Sequence, residues 1–315
     1  MGSDAEREHI SPAVSVIIPV YGRPFKLIRA VRSALRQTVG PEIIVIDDAS
    51  SAFSSYVFRV MSLLHGSVRL FRMADRSGPG PCRNRGIEES KGEYIAFLDS
   101  DDVFPDRDSL KKMVDRCSKD GTDICGSLRE LDIGGHIDKT DLYRAECEEN
   151  PDGTVLDFMD VQYEYDYTSY VYRKDLLVEN GIRFPDFLRY QDVPFFLEAM
   201  GIARRFSVVP VVGYRYTIDP RHPTVYDVPR TLGLLGSMRM VIGIAEKYGF
   251  DKIVSRTGRR LREEYLPRIP PDVLEVQDVA DLVDEVLRRS NALNRGWPRV
   301  SLCPLRNRDP LPLVR

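Results

Sequence analysis

The sequence predicts an α/β fold in which a doubly wound mixed sheet is flanked by helices and followed by a mainly helical C-terminal region. Short apolar runs rich in β-branched residues alternate with helical patterns. These runs are continuously apolar, as expected for strands buried on both faces. Acidic residues follow several of the runs, at the edge where open α/β sheets bind ligands.

Strands and helices alternate in order along the first part of the chain. The predicted strands are residues 14–20, 42–47, 68–73 and 93–99. The predicted helices are residues 24–37 and 52–64, with a further helix starting near Cys82. Pro24 suits a first helical position, and Phe25 and Val31 belong to an apolar stripe at helical spacing. This order indicates parallel strands joined by helical crossovers.

The alternation becomes looser after residue 110. We expect, in order, a helix at 109–121, a hairpin at 123–144, an irregular acidic segment at 143–165 and a strand followed by a helix at 169–184. The buried stripe of a second helix covers residues 193–200, and a strand pair is expected at 205–217. Gly181 is expected to end its helix in a left-handed conformation. From about residue 230 the pattern is mostly helical, with an apolar stripe that includes Val279, Val283 and Val286.

Composition narrows the class of protein. A formal net charge of −3 gives no general attraction to nucleic acid. The five Cys show no C-x-x-C spacing, which argues against a disulfide framework or a zinc site and favours a reducing cytosol. The polar, acidic N-terminus is unlike a signal peptide, so we expect a cytoplasmic protein.

Two segments bear on membrane contact. Residues 232–245 are too short and too interrupted for the ~20 apolar residues of a membrane span, so a packed helix is expected. Residues 295–315 are rich in Pro and Arg, and we expect an extended tail on the protein surface. Peripheral contact of this tail with an anionic membrane or partner is the alternative.

A carboxylate cluster follows the fourth strand. Asp106 and Asp108 are expected to start the next helix, Asp106 as N-cap and Asp108 through the helix dipole. Capping does not explain Asp99, Asp101 and Asp102, which offer hard oxygen ligands to Mg²⁺ or Mn²⁺. Such ions keep open positions for substrate phosphates, so the cluster indicates carboxylate and metal chemistry.

Other nucleotide-binding and metal-binding motifs are absent from the sequence. Arg83 occupies the third glycine position of G-x-G-x-x-G, and no G-x-x-x-x-G-K-[ST] is present. A calcium loop read from Asp99 would place Phe104 and Leu110 at its required Gly and Glu. The four His have no i, i+4 pair, which argues against a histidine-rich metal site.

The segments "SVIIPVYGRP", "EIIVIDDASS" and "GPCRNRGIEESKGEYIAFLDSDD" together resemble the nucleotide-binding half of inverting glycosyltransferases of family 2. Their pattern is P-x-Y-N, S-x-x-x-Q-T/S, V-x-D-D-x-S, A-R-N-x-G and F-L-D-x-D-D, matched in order over residues 14–104. A weaker resemblance covers residues 168–222, which hold the counterpart of an E-D pair. Gly22 stands where Asn is usual, and Gln191 replaces the Glu before Asp192.

The resemblance implies a GT-A nucleotide-diphospho-sugar transferase fold and a division of the chain. Residues 1–225 would form the glycosyltransferase domain, with a nucleotide-binding half at 14–110 and an acceptor-side half at 111–225. Residues 226–315 would form the helical C-terminal region and its tail. It further implies a nucleotide-sugar donor, with UDP the commonest carrier, a Mn²⁺ or Mg²⁺ cofactor, and a glycan or lipid-linked acceptor, with no nucleic acid partner.

Site roles are carried over residue by residue. The residues expected to bind the nucleotide sugar are Pro19, Tyr21, Asp48, Gly78, Arg83, Asp99, Ser100, Asp101 and Asp102. Asp99 and Asp101 would hold the metal, with Asp102 at the ribose or completing the metal shell. Asp192 would be the general base. Arg215 and His222 are further candidates for diphosphate or metal contact.

Alternative roles for these residues stay open at this point. A turn or cap competes for Asp48, an N-cap for Asp192, an exposed helical position for Arg83 and a surface loop for His222. "FLDSDDV" also satisfies the D-x-D-x-[TV] motif of haloacid dehalogenase-type phosphatases, with Asp99 as nucleophile. A non-catalytic sugar-nucleotide-binding module is the third hypothesis, motivated by Gln191.

Overall fold

The computed structural model describes residues 13–139, 143–164, 167–187, 189–218 and 225–292. Its strands are β1 (Val14–Val20), β2 (Glu42–Asp47), β3 (Val68–Arg72), β4 (Tyr94–Phe97), β5 (Ile124–Ile133), β6 (His136–Lys139), β7 (Thr154–Asp157), β8 (Tyr170–Arg173) and β9 (Arg205–Ile218). Its helices are α1 (Pro24–Leu35), α2 (Ala52–Leu64), α3 (Pro79–Glu89), α4 (Ser109–Asp120), α5 (Arg144–Glu149), α6 (Phe158–Val161), α7 (Lys174–Glu179), α8 (Asp192–Ala203), α9 (Val228–Tyr248), α10 (Asp251–Arg260), α11 (Pro271–Leu274) and α12 (Gln277–Ala292).

A mixed sheet connects the two halves of the chain. Its order is β3-β2-β1-β4-β8-β5-β9-β7, with β6 paired to β5. The first four strands are parallel, and Ile17 of β1 lies opposite both Ile44 and Phe97. The chain moves outward from β1 to β3 and then returns to place β4 on the other side of β1. This reversal makes the carboxyl ends of β1 and β4 the ligand-binding edge.

The helices of this half pack on both faces of the sheet. The apolar sides of α1, α2 and α4 share one core with β1 and β2, whereas Ile87 of α3 belongs to the core on the other face. For α1, α2 and α3 this follows from right-handed crossovers that run first in one direction along the sheet and then in the other. The predicted doubly wound arrangement is confirmed.

The second half of the sheet differs from the sequence prediction in two places. Residues 205–217 were expected to form a strand pair but belong to the single strand β9, which pairs with β5 through an irregular register near Ser127 and Leu128. The bulge absorbs the Pro210 region, so the chain needs no turn there. Residues 143–165 were expected to be irregular, but their described part contains α5, β7 and α6.

The C-terminal helices share a core with the sheet. Val279 and Val283 of α12 and Ile242 of α9 pack in the same buried cluster as Phe195 of α8 and Tyr170 of β8. The predicted stripe on α12 is therefore a packing surface. Within the described residues, no helix is long and apolar enough to cross a membrane. The predicted Pro- and Arg-rich tail lies outside the described residues.

The loop after β4 is tied to α1. Ser33 Oγ accepts a hydrogen bond from the Phe104 backbone N–H at 3.1 Å, and Gln37 Nε2 donates to the Asp106 carbonyl at 2.7 Å. Gln37 Oε1 also accepts from the Leu110 N–H at 3.1 Å, so Gln37 satisfies the start of α4. The S-x-x-x-Q pattern thus fixes the loop that carries the acidic cluster.

The predicted N-cap role of Asp106 is wrong, whereas Asp108, predicted to favour the helix dipole, lies at the start of α4. Asp106 is not the N-cap of α4; its Oδ1 accepts from the Asp108 N–H at 2.7 Å, which forms a local turn. Asp108 occupies the N-cap position but makes no side-chain cap bond, because it accepts from Thr38 Oγ1 at 2.6 Å.

Candidate active site

A cavity of about 690 Å³ opens beyond the carboxyl ends of β1 and β4. Many of the residues predicted from the sequence line this cavity: Pro19, Tyr21, Asp48, Gly78, Arg83, Asp99, Ser100 and Asp101. They come from the end of β1, the end of β2, the start of α3 and the loop after β4. The sheet therefore assembles one site from segments that are distant in the sequence.

The two acids that follow β2 have different roles. Asp47 accepts hydrogen bonds from the Ser50 N–H and the Ser55 hydroxyl and pairs with Arg72, so it stabilises the turn before α2. Asp48 lines the cavity, and its two carboxylate oxygens accept from the N–H groups of Ser77 and Gly78 at 2.6 and 2.9 Å. Asp48 thus positions the loop before α3 and keeps lone pairs available to a ligand.

The backbone conformation at position 78 requires a glycine. Its φ of 86° and ψ of 173° lie in a region that is essentially restricted to glycine. A Cβ at this position would meet no atom within 4 Å, so the side of Gly78 faces open space in the cavity.

Arg83 is buried beneath the cavity, and the alternative of an exposed helical arginine is wrong. Its side chain is 6% exposed, and Nη2 donates to Asp99 Oδ1 at 2.7 Å. The guanidinium lies 5.0 Å from the ring centroid of Tyr167 and 5.3 Å from that of Phe184. Nε and Nη1 are buried and find no hydrogen-bond acceptor within the described residues. Unpaired buried donors are costly, so this arrangement suits an anionic ligand.

Asp101 is held at the mouth of the cavity by cations from α1 and the residue before it. Its Oδ2 lies 2.7 Å from Arg23 Nη1 and 3.5 Å from Lys26 Nζ. Arg29 donates to the Asp101 carbonyl oxygen. Asp99 and Asp101 are both solvent-accessible carboxylates at one end of the cavity, with Ser100 between them.

The donor set fits a divalent cation that a phosphate ligand helps to hold. Among the described residues, no group of three or more His, Cys, Asp or Glu is arranged to enclose a metal. Two carboxylates with open coordination positions are the typical protein contribution to Mg²⁺ or Mn²⁺ bound together with substrate phosphates. His222, the third predicted ligand, lies outside the described residues.

Asp102 does not line the cavity, in contrast to its predicted ligand role. It is 1% exposed, accepts from the Tyr214 hydroxyl at 2.6 Å and accepts from the Thr217 N–H at 2.7 Å. Burial, reinforced by the nearby charge of Asp99, raises the pKa of Asp102 to about 8. These two hydrogen bonds join the acidic loop to β9.

Asp192 is the first residue of α8, and Gln191 takes the N-cap position that the alternative reading had assigned to Asp192. Burial raises the pKa of Asp192, as does the charge of Asp99, while Arg83 and the first N–H groups of the helix act in the opposite direction. A carboxylate with a raised pKa, close enough to interact with Arg83 and Asp99, is suited to accept a proton.

The C-terminal helices hold the segment before Asp192. Tyr190 has a φ of 65°, an uncommon conformation for a non-glycine residue. Its carbonyl accepts from Ser237 Oγ of α9 at 2.6 Å, and its ring lies 6.0 Å from that of Tyr265. A strained backbone at this point requires such support, so the C-terminal region contributes directly to the site geometry.

Sequence reasoning missed several cavity residues. They are Val20, Arg23, Arg76, Ser77, Pro79, Cys82, Arg189, Tyr216, Thr217 and Arg230. Arg76 stacks over the Tyr21 ring at 4.0 Å. Arg215, proposed from the sequence, pairs instead with Glu130 at 2.5 Å, while the next two residues of β9 face the cavity. The arginines come from loops and from α9, and no local pattern distinguishes them from surface arginines.

Comparison with known proteins identifies related sequences. Residues 15–154 match the model of the family described as "Glycosyl transferase family 2". The chain is 31% identical over 219 residues to the succinoglycan biosynthesis protein ExoO of Rhizobium meliloti (strain 1021). That match covers 66% of this chain and 61% of ExoO. The chain therefore spans about three fifths of the length of this relative.

Solved structures show the same fold. The S. aureus TarS 1–349 structure in complex with UDP-GlcNAc superposes with a TM-score of 0.69 at 19% identity, covering 89% of this chain and 83% of that one. The mannosyltransferase PcManGT from Pyrobaculum calidifontis, in complex with GDP-Man and Mn²⁺, gives a TM-score of 0.55 at 15% identity. This second match covers 90% of this chain and 74% of PcManGT. At these identities the likeness concerns the fold.

Proposed function

The chain belongs to glycosyltransferase family 2 and has the GT-A fold, and we propose that it transfers a sugar from a nucleoside diphosphate sugar to a hydroxyl group of a glycan or lipid-linked acceptor. The observation that supports this most directly is Arg83, whose Nε and Nη1 are buried without an acceptor beneath an open polar cavity. A diphosphate supplies the anionic oxygens that these donors lack.

In this proposal, residues 14–110 bind the nucleotide-sugar donor. Asp48 accepts from the base or ribose, and Tyr21 and Pro19 form the wall of the nucleoside pocket. UDP-GlcNAc bound to TarS supports UDP as the carrier. Gly78 leaves space for the diphosphate, while Asp99 and Asp101 hold a Mn²⁺ or Mg²⁺ ion. When bound, that ion offsets the charge that develops on the leaving diphosphate.

Residues 111–225 supply the acceptor side. The acceptor hydroxyl attacks the anomeric carbon from the face opposite the diphosphate, so the new bond to carbon forms as the bond to the phosphate oxygen breaks. Asp192 takes the hydroxyl proton, and the electron pair of the broken bond goes to the diphosphate. A raised pKa makes Asp192 a better proton acceptor, and its position beside Arg83 and Asp99 is consistent with this role.

The phosphatase hypothesis for Asp99 loses its support. The chain belongs to another family, and Asp99 follows the fourth strand of the described fold and is paired with the buried Arg83.

The thiol of Cys82 also lines the cavity, but burial and the charge of Asp48 raise its pKa to about 12. Cys82 is therefore protonated at neutral pH and a poor nucleophile.

A donor panel tests the proposed function. UDP, GDP and dTDP are titrated into the protein with and without Mn²⁺ by calorimetry, followed by hydrolysis assays with their sugars and with a generic phosphomonoester. We expect tight binding of one nucleotide only with the metal present, and slow release of its sugar to water. Turnover of the phosphomonoester without nucleotide binding would contradict the transferase. Nucleotide binding with no sugar release or transfer to any acceptor would instead support a non-catalytic binding module.

Gly80→Ala tests the contact between the two halves of the site. A Cβ at Gly80 would lie 2.9 Å from the Pro185 carbonyl oxygen and 3.2 Å from Gln191 Cγ. The segment that leads to Asp192 must then move, and a displacement of about 1 Å can cost about 100-fold in rate. We expect a loss of about 10- to 100-fold in kcat with donor affinity changed much less.

Gly66→Ala is the matched control, because a Cβ there meets no atom within 4 Å. Equal kinetics for Gly80→Ala and wild type would show that the contact does not position the base. Thermal unfolding of both variants separates a displaced segment from a general loss of stability.

A further inference from the structure

The outer face of α2 is unusually apolar. Five large apolar side chains are exposed along it at helical spacing: Phe53 (63%), Tyr56 (67%), Val60 (36%), Leu63 (81%) and Leu64 (72%). The opposite side of the helix, with Phe58 and Met61, packs on the sheet. Single exposed apolar residues are ordinary, but a continuous stripe of this kind marks an interaction surface.

The outer face of α1 is cationic. Phe25, Arg29, Arg32 and Arg36 are exposed and recur at i, i+4, i+7 and i+11. Within the described part of the chain, Arg32 and Arg36 form no ion pair, and neither does Arg59 on α2. These cations are therefore available to an external anionic partner.

Both segments lack acids. Residues 24–36 and 52–64 contain no Asp or Glu, although the chain has 48 among its 315 residues. By contrast α4, which lies on the same side of the sheet, mixes Lys with Asp115 and Asp120. The missing acids are thus a property of α1 and α2 and not of this side of the sheet as a whole.

The two faces form one surface. α1 and α2 contact each other and bury their inner sides in the same core, so their outer sides point away from the sheet together. This surface, the α1–α2 face, consists of Phe25 and Arg32 on α1, Arg36 directly after α1, and the apolar stripe and Arg59 on α2.

We propose that the α1–α2 face docks on a bilayer that contains anionic lipids. An apolar helical stripe with aromatic residues, flanked by cations and free of acids, has the composition of a helix that lies in a membrane interface. Arginine side chains extend from such a face to lipid phosphates while the apolar groups enter the headgroup boundary.

A second copy of the chain fits this face less well. Five partly exposed side chains offer on the order of 500 Å² of apolar area, below the roughly 800 Å² per partner of a standard interface. Two copies would also bring the cations of α1 close together with no acids to offset them. An anionic lipid surface meets both the apolar and the cationic parts of the face.

The orientation of the helices gives docking a functional consequence, which rests on the proposed transferase activity. α1 and α2 begin at the edge of the sheet that carries the cavity, and Tyr21 and Arg23 of the cavity directly precede α1. A docked α1–α2 face would hold the cavity mouth beside the bilayer. The acceptor hydroxyl would then be that of a lipid-linked molecule in the same membrane.

Vesicle flotation with the full chain tests the docking. The lipids are phosphatidylcholine alone and phosphatidylcholine with 30% phosphatidylglycerol, a composition on the order of that of anionic membranes. We expect the protein to float with the anionic vesicles, to bind neutral vesicles at least about tenfold more weakly, and to dissociate as salt rises. No flotation with anionic vesicles at low salt would overturn the proposal.

Paired variants locate the contact. Arg32→Glu/Arg36→Glu and Phe53→Ser/Leu63→Ser should each lower vesicle binding at least about tenfold. The controls make the same changes at exposed positions elsewhere: Arg259→Glu/Arg288→Glu and Val178→Ser/Met240→Ser. If both face variants still bind vesicles as wild type does, another region, such as residues 293–315, makes the contact and the proposal is overturned.

Two further readouts separate the possible outcomes. Sedimentation of the protein without lipid detects a dimer. If the protein does not bind vesicles, and if Phe53→Ser/Leu63→Ser abolishes a dimer, the α1–α2 face binds a second copy of the chain and not a membrane. Hydrolysis of the soluble donor should stay unchanged in the face variants, because none of these residues lines the cavity. Failure of the transferase proposal therefore appears in the hydrolysis assay and failure of docking in the flotation assay.

Discussion

Asp192→Asn is expected to lower the transfer rate about 10²- to 10⁴-fold while donor binding changes little. Asparagine keeps the size of the side chain and its place at the start of α8 but cannot accept a proton from the acceptor hydroxyl. Asp192 does not line the donor cavity, so calorimetric titration with the nucleotide should give nearly the wild-type affinity. Single-turnover transfer measures the loss directly.

Asp186→Asn is the matched control for this change. Asp186 belongs to the same connection before α8 and is exposed, so losing its charge should leave both binding and transfer near wild type. Transfer by Asp192→Asn at the wild-type rate would remove Asp192 as the base. A parallel loss of nucleotide affinity would indicate instead that the substitution disturbs Arg83 and Asp99, which interact with Asp192.

Asp101→Asn is expected to uncouple nucleotide binding from the metal. Asp101 is one of two accessible carboxylates at the cavity, and its partners Arg23 and Lys26 would be freed by the change. We expect the enhancement of nucleotide affinity by Mn²⁺ to fall at least about tenfold, which corresponds to about 1.4 kcal/mol of coupling. Affinity without metal should stay the same or rise, because two cations at the cavity mouth become available to the diphosphate.

Asp106→Asn provides the control in the same loop. It removes the same charge, while its amide oxygen still accepts from the Asp108 N–H in the local turn. Titrations with and without Mn²⁺ on both variants give the two coupling energies. An unchanged metal enhancement in Asp101→Asn would show that Asp101 is not a ligand and leave its role to the ion pair with Arg23.

The sequence alone determined the parallel half of the sheet. β1 and β2 match their predicted bounds because each is a continuous apolar run, a local signal that requires no partner to be recognised. α2 was also predicted at its observed bounds. The position of the acids at strand ends then followed from the rule that parallel strands present their carboxyl ends together. Most of the predicted donor-binding residues line the cavity for that reason.

Only the tertiary structure decided which acids face the cavity. Asp47 and Asp48 are adjacent and chemically alike, but β2 turns Asp47 towards Arg72 and Asp48 towards the cavity. Asp102 looks like a third member of the cluster, yet it bonds to Tyr214 on a strand more than a hundred residues later. Such assignments depend on long-range packing, which local spacing does not encode.

The same reason explains Arg83 and the α1–α2 face. The sequence indicates an arginine near the start of a helix, but its burial against Tyr167 arises when β4 and the segment before β8 meet. Likewise, the absence of acids in α1 and α2 can be read from the sequence, whereas their union into one exposed surface requires both helices to pack on the same side of the sheet. Residue type and spacing determined the chemistry available to this protein, and the crossovers of the sheet decided which groups meet, because contacts between distant segments are set by topology and packing.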